Sequence, residues 1–143
     1  MTTTTARPDA TGKPGYSETL PCEPESACRA RTLVSTALHA WGLAGLAEDG
    51  KLIVSELVSN VIAHTRCHVT RVAVARIDDD SVQITVADVS QRIPKVAAPS
   101  EHSRSGRGLL IVDALSDRWG YDLRRSSKVV WVQLRIGSGE VER

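Results

Sequence analysis

The sequence predicts an α+β fold: a two-layer sandwich in which helices cover one face of a mixed, mostly antiparallel sheet. Three observations carry this expectation. Two early stretches repeat apolar residues at helical spacing, two alternating stretches follow around an acidic turn, and a third apolar helix precedes two more alternating stretches. The strands therefore fall in groups, leaving the helices to cover one side of them.

Taken in order, residues 1–15 are rich in Thr, Pro and Gly and offer almost nothing to bury. That cannot offset the entropy lost on ordering, so a flexible tail is expected there, before a single domain at 16–137 and a short tail at 138–143. An extended piece at 17–20 leads into Pro21 and Pro24. Residues 25–41 then place Ala30, Leu33, Val34, Ala37, Leu38 and Trp41 on one helical face, and Gly42 ends the helix. A second helix spans 47–64, with Leu52, Ile53, Leu57, Val58, Val61 and Ile62 as its broad apolar face.

Val72 and Val74 alternate with Arg71 and Ala75 in a strand at 69–77, and Asp78, Asp79 and Asp80 turn the chain. Val82, Ile84 and Val86 then alternate through 81–88, completing a β-hairpin. Residues 91–105, with Pro94 and Pro99, read as a mobile loop, after which Gly106 and Gly108 open a helix that begins near Leu109 and runs to Leu115. Strands at 121–123 and 128–136 finish the chain around a turn at 124–127.

Composition excludes several functions. Lys plus Arg number 18 against 17 for Asp plus Glu, which leaves no positive excess for a nucleic-acid backbone. With no Phe, three Trp and two Tyr, no aromatic platform for bases is visible either. The first residues lack the basic start and apolar core of a signal peptide, and no apolar run has the length of a membrane span, so a cytoplasmic protein is expected. Cys22, Cys28 and Cys67 cannot all pair within one chain, and their spacings match no zinc or redox motif. Free thiols in a reducing cytosol are the simplest expectation.

Three groups of residues carry candidate chemistry. Glu56, Asn60 and His64 are four apart, so a carboxylate, an amide and an imidazole share one face of the second helix; a solvated helix edge would present the same stripe. Asp88 ends an otherwise apolar strand, either as a turn-forming Asp or as an acceptor for an exocyclic amine such as that of adenine. Ser105-Gly106-Arg107-Gly108-Leu109 precedes a helix, where free amides favour an anion such as phosphate; a plain loop-to-helix junction has the same composition. Neither a Walker loop nor a dinucleotide fingerprint is present.

Their order makes one nucleotide site, and here the sequence resembles a family. Ser55-Glu56-Leu57-Val58-Ser59-Asn60-Val61-Ile62-Ala63-His64 resembles the Asn-bearing helix of the histidine-kinase-like ATPases, which have the Bergerat ATP-binding fold. Asp88-Val89-Ser90 resembles their first glycine box and Gly106-Arg107-Gly108-Leu109-Leu110-Ile111-Val112 their second. The wording Trp41-Gly42-Leu43 and Asp117-Arg118-Trp119-Gly120 is most similar to stand-alone actinomycete ATP-binding proteins related to anti-sigma-factor serine kinases.

The resemblance implies ATP and Mg2+ as cofactors. By it, Asn60 would hold the metal against the phosphates, Glu56 would act as catalytic base, and Asp88 would accept from the adenine amine, with Ser90 beside it. His64 would approach the phosphates or brace Glu56. Gly106, Arg107, Gly108 and Leu109 would wrap the phosphates, with residues 91–105 as a lid. It further implies a protein serine kinase that binds a sigma factor or an anti-anti-sigma protein and phosphorylates a Ser on the latter, as a homodimer. The alternative is a non-catalytic partner-binding module whose nucleotide is structural or absent. Two departures stand out: Ser90 replaces the usual Gly, and Val129 falls at the position expected for a Thr that reaches the adenine through water. Losing one such hydrogen bond weakens binding by about 0.5–1.5 kcal/mol.

Overall fold

The computed structural model describes residues 4–8, 14–64, 68–88, 104–123 and 127–136, and leaves out the side chains of 4–8, 14, 64 and 104–109. The chain runs β1 (Thr4–Pro8), β2 (Pro14–Pro21), α1 (Ser26–Ala40), a 3-10 turn (Ala44–Leu46), α2 (Ala47–His64), β3 (Val69–Asp78), β4 (Ser81–Asp88), α3 (Arg104–Leu115), β5 (Arg118–Leu123) and β6 (Lys128–Arg135). The strands form one six-stranded sheet in the order β1-β2-β3-β4-β6-β5. The expected α+β sandwich is present, but every pairing is antiparallel rather than mixed.

Period-two alternation sets which side of the sheet meets the helices. Along β4 the even-numbered residues Val82, Ile84, Val86 and Asp88 are buried, and along β6 so are Lys128, Val130, Val132 and Leu134. α1 contributes Ala30, Leu33, Val34, Ala37 and Leu38 to the same core, and α2 contributes Ile53, Val54, Leu57, Val58 and Val61. Leu52, expected on the buried face of α2, is instead 42% exposed, and Val54 takes its place in the core. The apolar run Leu52-Ile53-Val54 is wider than the stripe one neighbour can cover, so one of its members must face outward.

Gly42 ends α1 as expected. Its φ is 74°, the left-handed region, and it allows the Leu43 N–H to donate to the Leu38 carbonyl at 2.7 Å and its own N–H to donate to His39 at 3.0 Å. Gly50 serves packing instead: a Cβ there would lie 2.9 Å from Val34 Cγ1 and 3.1 Å from Leu38 Cδ1, so its absence lets α1 and α2 approach. Tyr16 on β2 meets Trp41 with ring centroids 5.7 Å apart, both partly buried against the core.

Several boundaries differ from expectation. Thr4–Pro8, expected in a flexible tail, form an edge strand, Thr4 pairing with Glu18 and Pro8 with Pro14. An edge strand is held by backbone hydrogen bonds, so it needs no apolar side chains to be recognised by its neighbour. β5 begins at Arg118 rather than 121, because Arg118, Trp119 and Gly120 pair with Gln133, Val132 and Trp131. α3 begins at Arg104, which puts Gly106 and Gly108 inside the helix instead of ahead of it. Glycine weakens a helix by about 1 kcal/mol relative to Ala but does not forbid one. The expected lid at 91–105 lies outside the described residues up to 103.

Cys22 is disulfide-bonded, against the expectation of three free thiols, and Cys28 is free and exposed. Cys67, the remaining cysteine of the sequence, lies outside the described residues. Spacing alone hides such a bond, because strand pairing brings distant residues together: the Cys22 N–H donates to the His68 carbonyl at 2.9 Å. Thiol content therefore no longer supports a reducing compartment. Among the described residues no helix is long and apolar enough to cross a membrane.

Candidate functional site

Apart from Ser90, the site residues expected from sequence fall on three elements: α2, the end of β4 and the start of α3. α2 packs against both β4 and α3, so it is the shared neighbour of the other two. Glu56 and Asn60 are half-buried on α2, as expected of side chains at the border between an apolar face and solvent. His64 is the last residue of α2, and its side chain is outside the description. α2 ends five residues before Val69, the first residue of β3, a separation that a chain can stretch to no more than about 17 Å. Arg71 of β3 pairs with Ala87 of β4. The His64 end of α2 and the Asp88 end of β4 therefore lie at the same end of the sandwich.

Asp88 is 3% exposed and belongs to the helix-covered face, in phase with Val86 and Ile84. Its register partner on β6 is Lys128, and Lys128 Nζ lies 3.8 Å from Asp88 Oδ2. Thr70 of β3 is also buried, and its hydroxyl donates to the Ala87 carbonyl at 2.8 Å. Three adjacent strands thus each place one polar side chain at this end of the helix-covered face. Burying a carboxylate and an ammonium is costly unless they are paired, so their placement here needs a polar reason.

Thr70 and Lys128 were missed in the sequence. The available signal was phase: Thr70 is in step with Val72 and Val74, and Lys128 with Val130, Val132 and Leu134. The same phase corrects the role expected of position 129. Val129 pairs with Ala87 and points to the other face of the sheet, so the inward residue opposite Asp88 is Lys128.

Ser90 lies outside the described residues. Gly106, Arg107, Gly108 and Leu109 lie within α3, which alters the expected phosphate contact. The amides left without intrahelical acceptors are those of the first turn, Arg104, Ser105 and Gly106, whereas a regular helix engages the Gly108 amide with the Arg104 carbonyl. The anion-favouring end of the helix therefore lies about one turn before the position expected.

Links further out brace these elements. Arg31 of α1 donates to Ser55 Oγ at 3.0 Å, beside Glu56, and Trp119 Nε1 of β5 donates to Asp113 Oδ1 of α3 at 3.0 Å. On the uncovered face Arg118 donates to Gln133 at 2.8 Å and Gln133 to Gln83 at 3.0 Å, while the Arg118 guanidinium sits 5.9 Å from the centroid of Trp131. Gly120 leaves room for that indole: a Cβ there would meet Trp131 Cζ2 at 2.6 Å. The Gly of Asp117-Arg118-Trp119-Gly120 thus has a packing role.

Among the described residues no group of three or more His, Cys, Asp or Glu could hold a metal ion. A family model described as the histidine kinase-like ATPase domain matches residues 20–135. No curated protein gives a significant match.

Proposed function

We propose, since this chain belongs to the family of histidine kinase-like ATPase domains, that it is an ATP-binding regulatory protein of the anti-sigma-factor serine kinase type. Buried Asp88, at the same end of the sandwich as the His64 end of α2, the helix that carries Glu56 and Asn60, is the observation that supports this function. Asp88 would accept from the adenine amine, and the first-turn amides of α3 would favour the phosphates. Asn60 would hold magnesium to them. ATP would supply the γ-phosphoryl group to the serine oxygen and leave as ADP, with magnesium neutralising charge on the phosphate oxygens. Glu56 would take the proton of the attacking serine hydroxyl on an anti-anti-sigma partner, a step that general-base catalysis speeds by roughly 10²–10⁴-fold. A sigma factor is the second proposed partner, and a homodimer the proposed assembly.

A second function, a partner-holding module without turnover, is favoured by the Asp88–Lys128 contact, which gives the carboxylate an internal cation. Phosphoserine formation on an anti-anti-sigma protein separates the two. The kinase predicts label transfer from Mg-ATP by the wild type and its loss in Glu56→Ala, with nucleotide binding kept. Label transfer undiminished in Glu56→Ala, or absent with every acceptor while partner binding persists, contradicts it.

A further inference from the structure

Lys128 is the one Lys or Arg among the buried residues of the described chain, and it stands across the ladder from Asp88. The side chains of Lys128 and Asp88 are 11% and 1% exposed, so both heads have left most of their water. At 3.8 Å their contact is one of charge rather than a hydrogen bond of ordinary length. A salt bridge placed only for stability gains little over an aliphatic pair in such a position. Val86 and Val130, one step inward on the same two strands, are such a pair.

Side by side, the two heads present one anionic acceptor and one cationic donor. A 6-aminopurine offers the complementary edge, an exocyclic amine that donates and an adjacent ring nitrogen that accepts. A carboxylate alone satisfies the amine and leaves the ring nitrogen without a donor. We infer that Lys128 is a specificity-determining residue of the base site, donating from Nζ to the ring nitrogen next to the amine while Asp88 accepts from the amine itself. This rests on the ATP-binding function proposed above. It also replaces the hydroxyl expected at Val129, whose side chain lies on the opposite face.

Calorimetric titration of the full chain with Mg-ATP, Mg-1-deaza-ATP and Mg-7-deaza-ATP, repeated on Lys128→Met, tests the inference. In the wild type, one of the two analogues is expected to bind roughly tenfold more weakly than ATP, the loss of one hydrogen bond with a charged donor. Lys128→Met should bind ATP about that weakly and no longer tell ATP from the affected analogue. Wild-type binding of both analogues as tight as that of ATP overturns the inference without touching ATP binding, and needs no variant to fold. Unchanged or tighter ATP binding by Lys128→Met also overturns it, the ammonium then being a competitor for Asp88. Absence of any ATP binding in the wild type overturns the ATP-binding function itself, and the role of Lys128 with it.

Discussion

Lys128 stands directly across the β4–β6 ladder from Asp88, its Nζ 3.8 Å from Oδ2, on the helix-covered face of the sheet. The two charges sit at one end of a layer built mainly from aliphatic side chains. Because both are buried, their interaction is little screened by salt, and each depends on the other.

A double-mutant cycle of Asp88→Asn and Lys128→Met, followed by urea unfolding, should therefore give a coupling of about 1–3 kcal/mol. Additivity of the two changes would mean that the heads do not sense each other in the folded chain.

Gly120 and Trp131 make a second dependent pair. Gly120→Ala would put a methyl group 2.6 Å from Trp131 Cζ2, so the indole must move and give up its place beside Arg118. A loss of about 1–3 kcal/mol is expected, as for other overpacked sites, together with a changed tryptophan emission. Emission and stability both like the wild type would show that the ring moves aside without cost.

Between the helices, Gly50→Val should destabilise the fold although it removes a glycine from a helix. The gain in helix propensity is under about 1 kcal/mol, while the added carbons meet Val34 and Leu38 at contact distances already below van der Waals spacing. A net loss of about 1–2 kcal/mol in chemical denaturation is expected, and a stabilised variant would contradict the close approach of α1 and α2.

The cysteines give a chemical check. Without reductant, an alkylating reagent should modify Cys28 and spare Cys22, and Cys22 should react after reduction. Modification of Cys22 in the unreduced protein would show that its bond does not form in solution.

Much of the fold was legible where the apolar period was regular. β4 shows unbroken alternation from Ser81 to Asp88, and α2 a broad apolar face from Ala47 to His64, and both have the limits expected. α3 starts earlier than the expected position near Leu109 because the helical backbone runs through Gly106 and Gly108 rather than beginning after them. β1 was invisible because its bonds to β2 are backbone bonds and its side chains, Thr and Pro among them, carry no apolar pattern.

The candidate site was legible where residue type announced chemistry, at Glu56, Asn60 and Asp88. It was not legible at Thr70 and Lys128, whose importance lies in register across strands that are far apart in sequence. Val129 lies one position along β6 from Lys128, and one position along a strand reverses the face.

The most direct test of the account is titration of the chain with ATP, with and without magnesium, alongside Asn60→Ala. Magnesium-dependent binding that is lost in a folded Asn60→Ala is the predicted result. Absence of binding at millimolar nucleotide, or binding indifferent to both magnesium and Asn60, would contradict it.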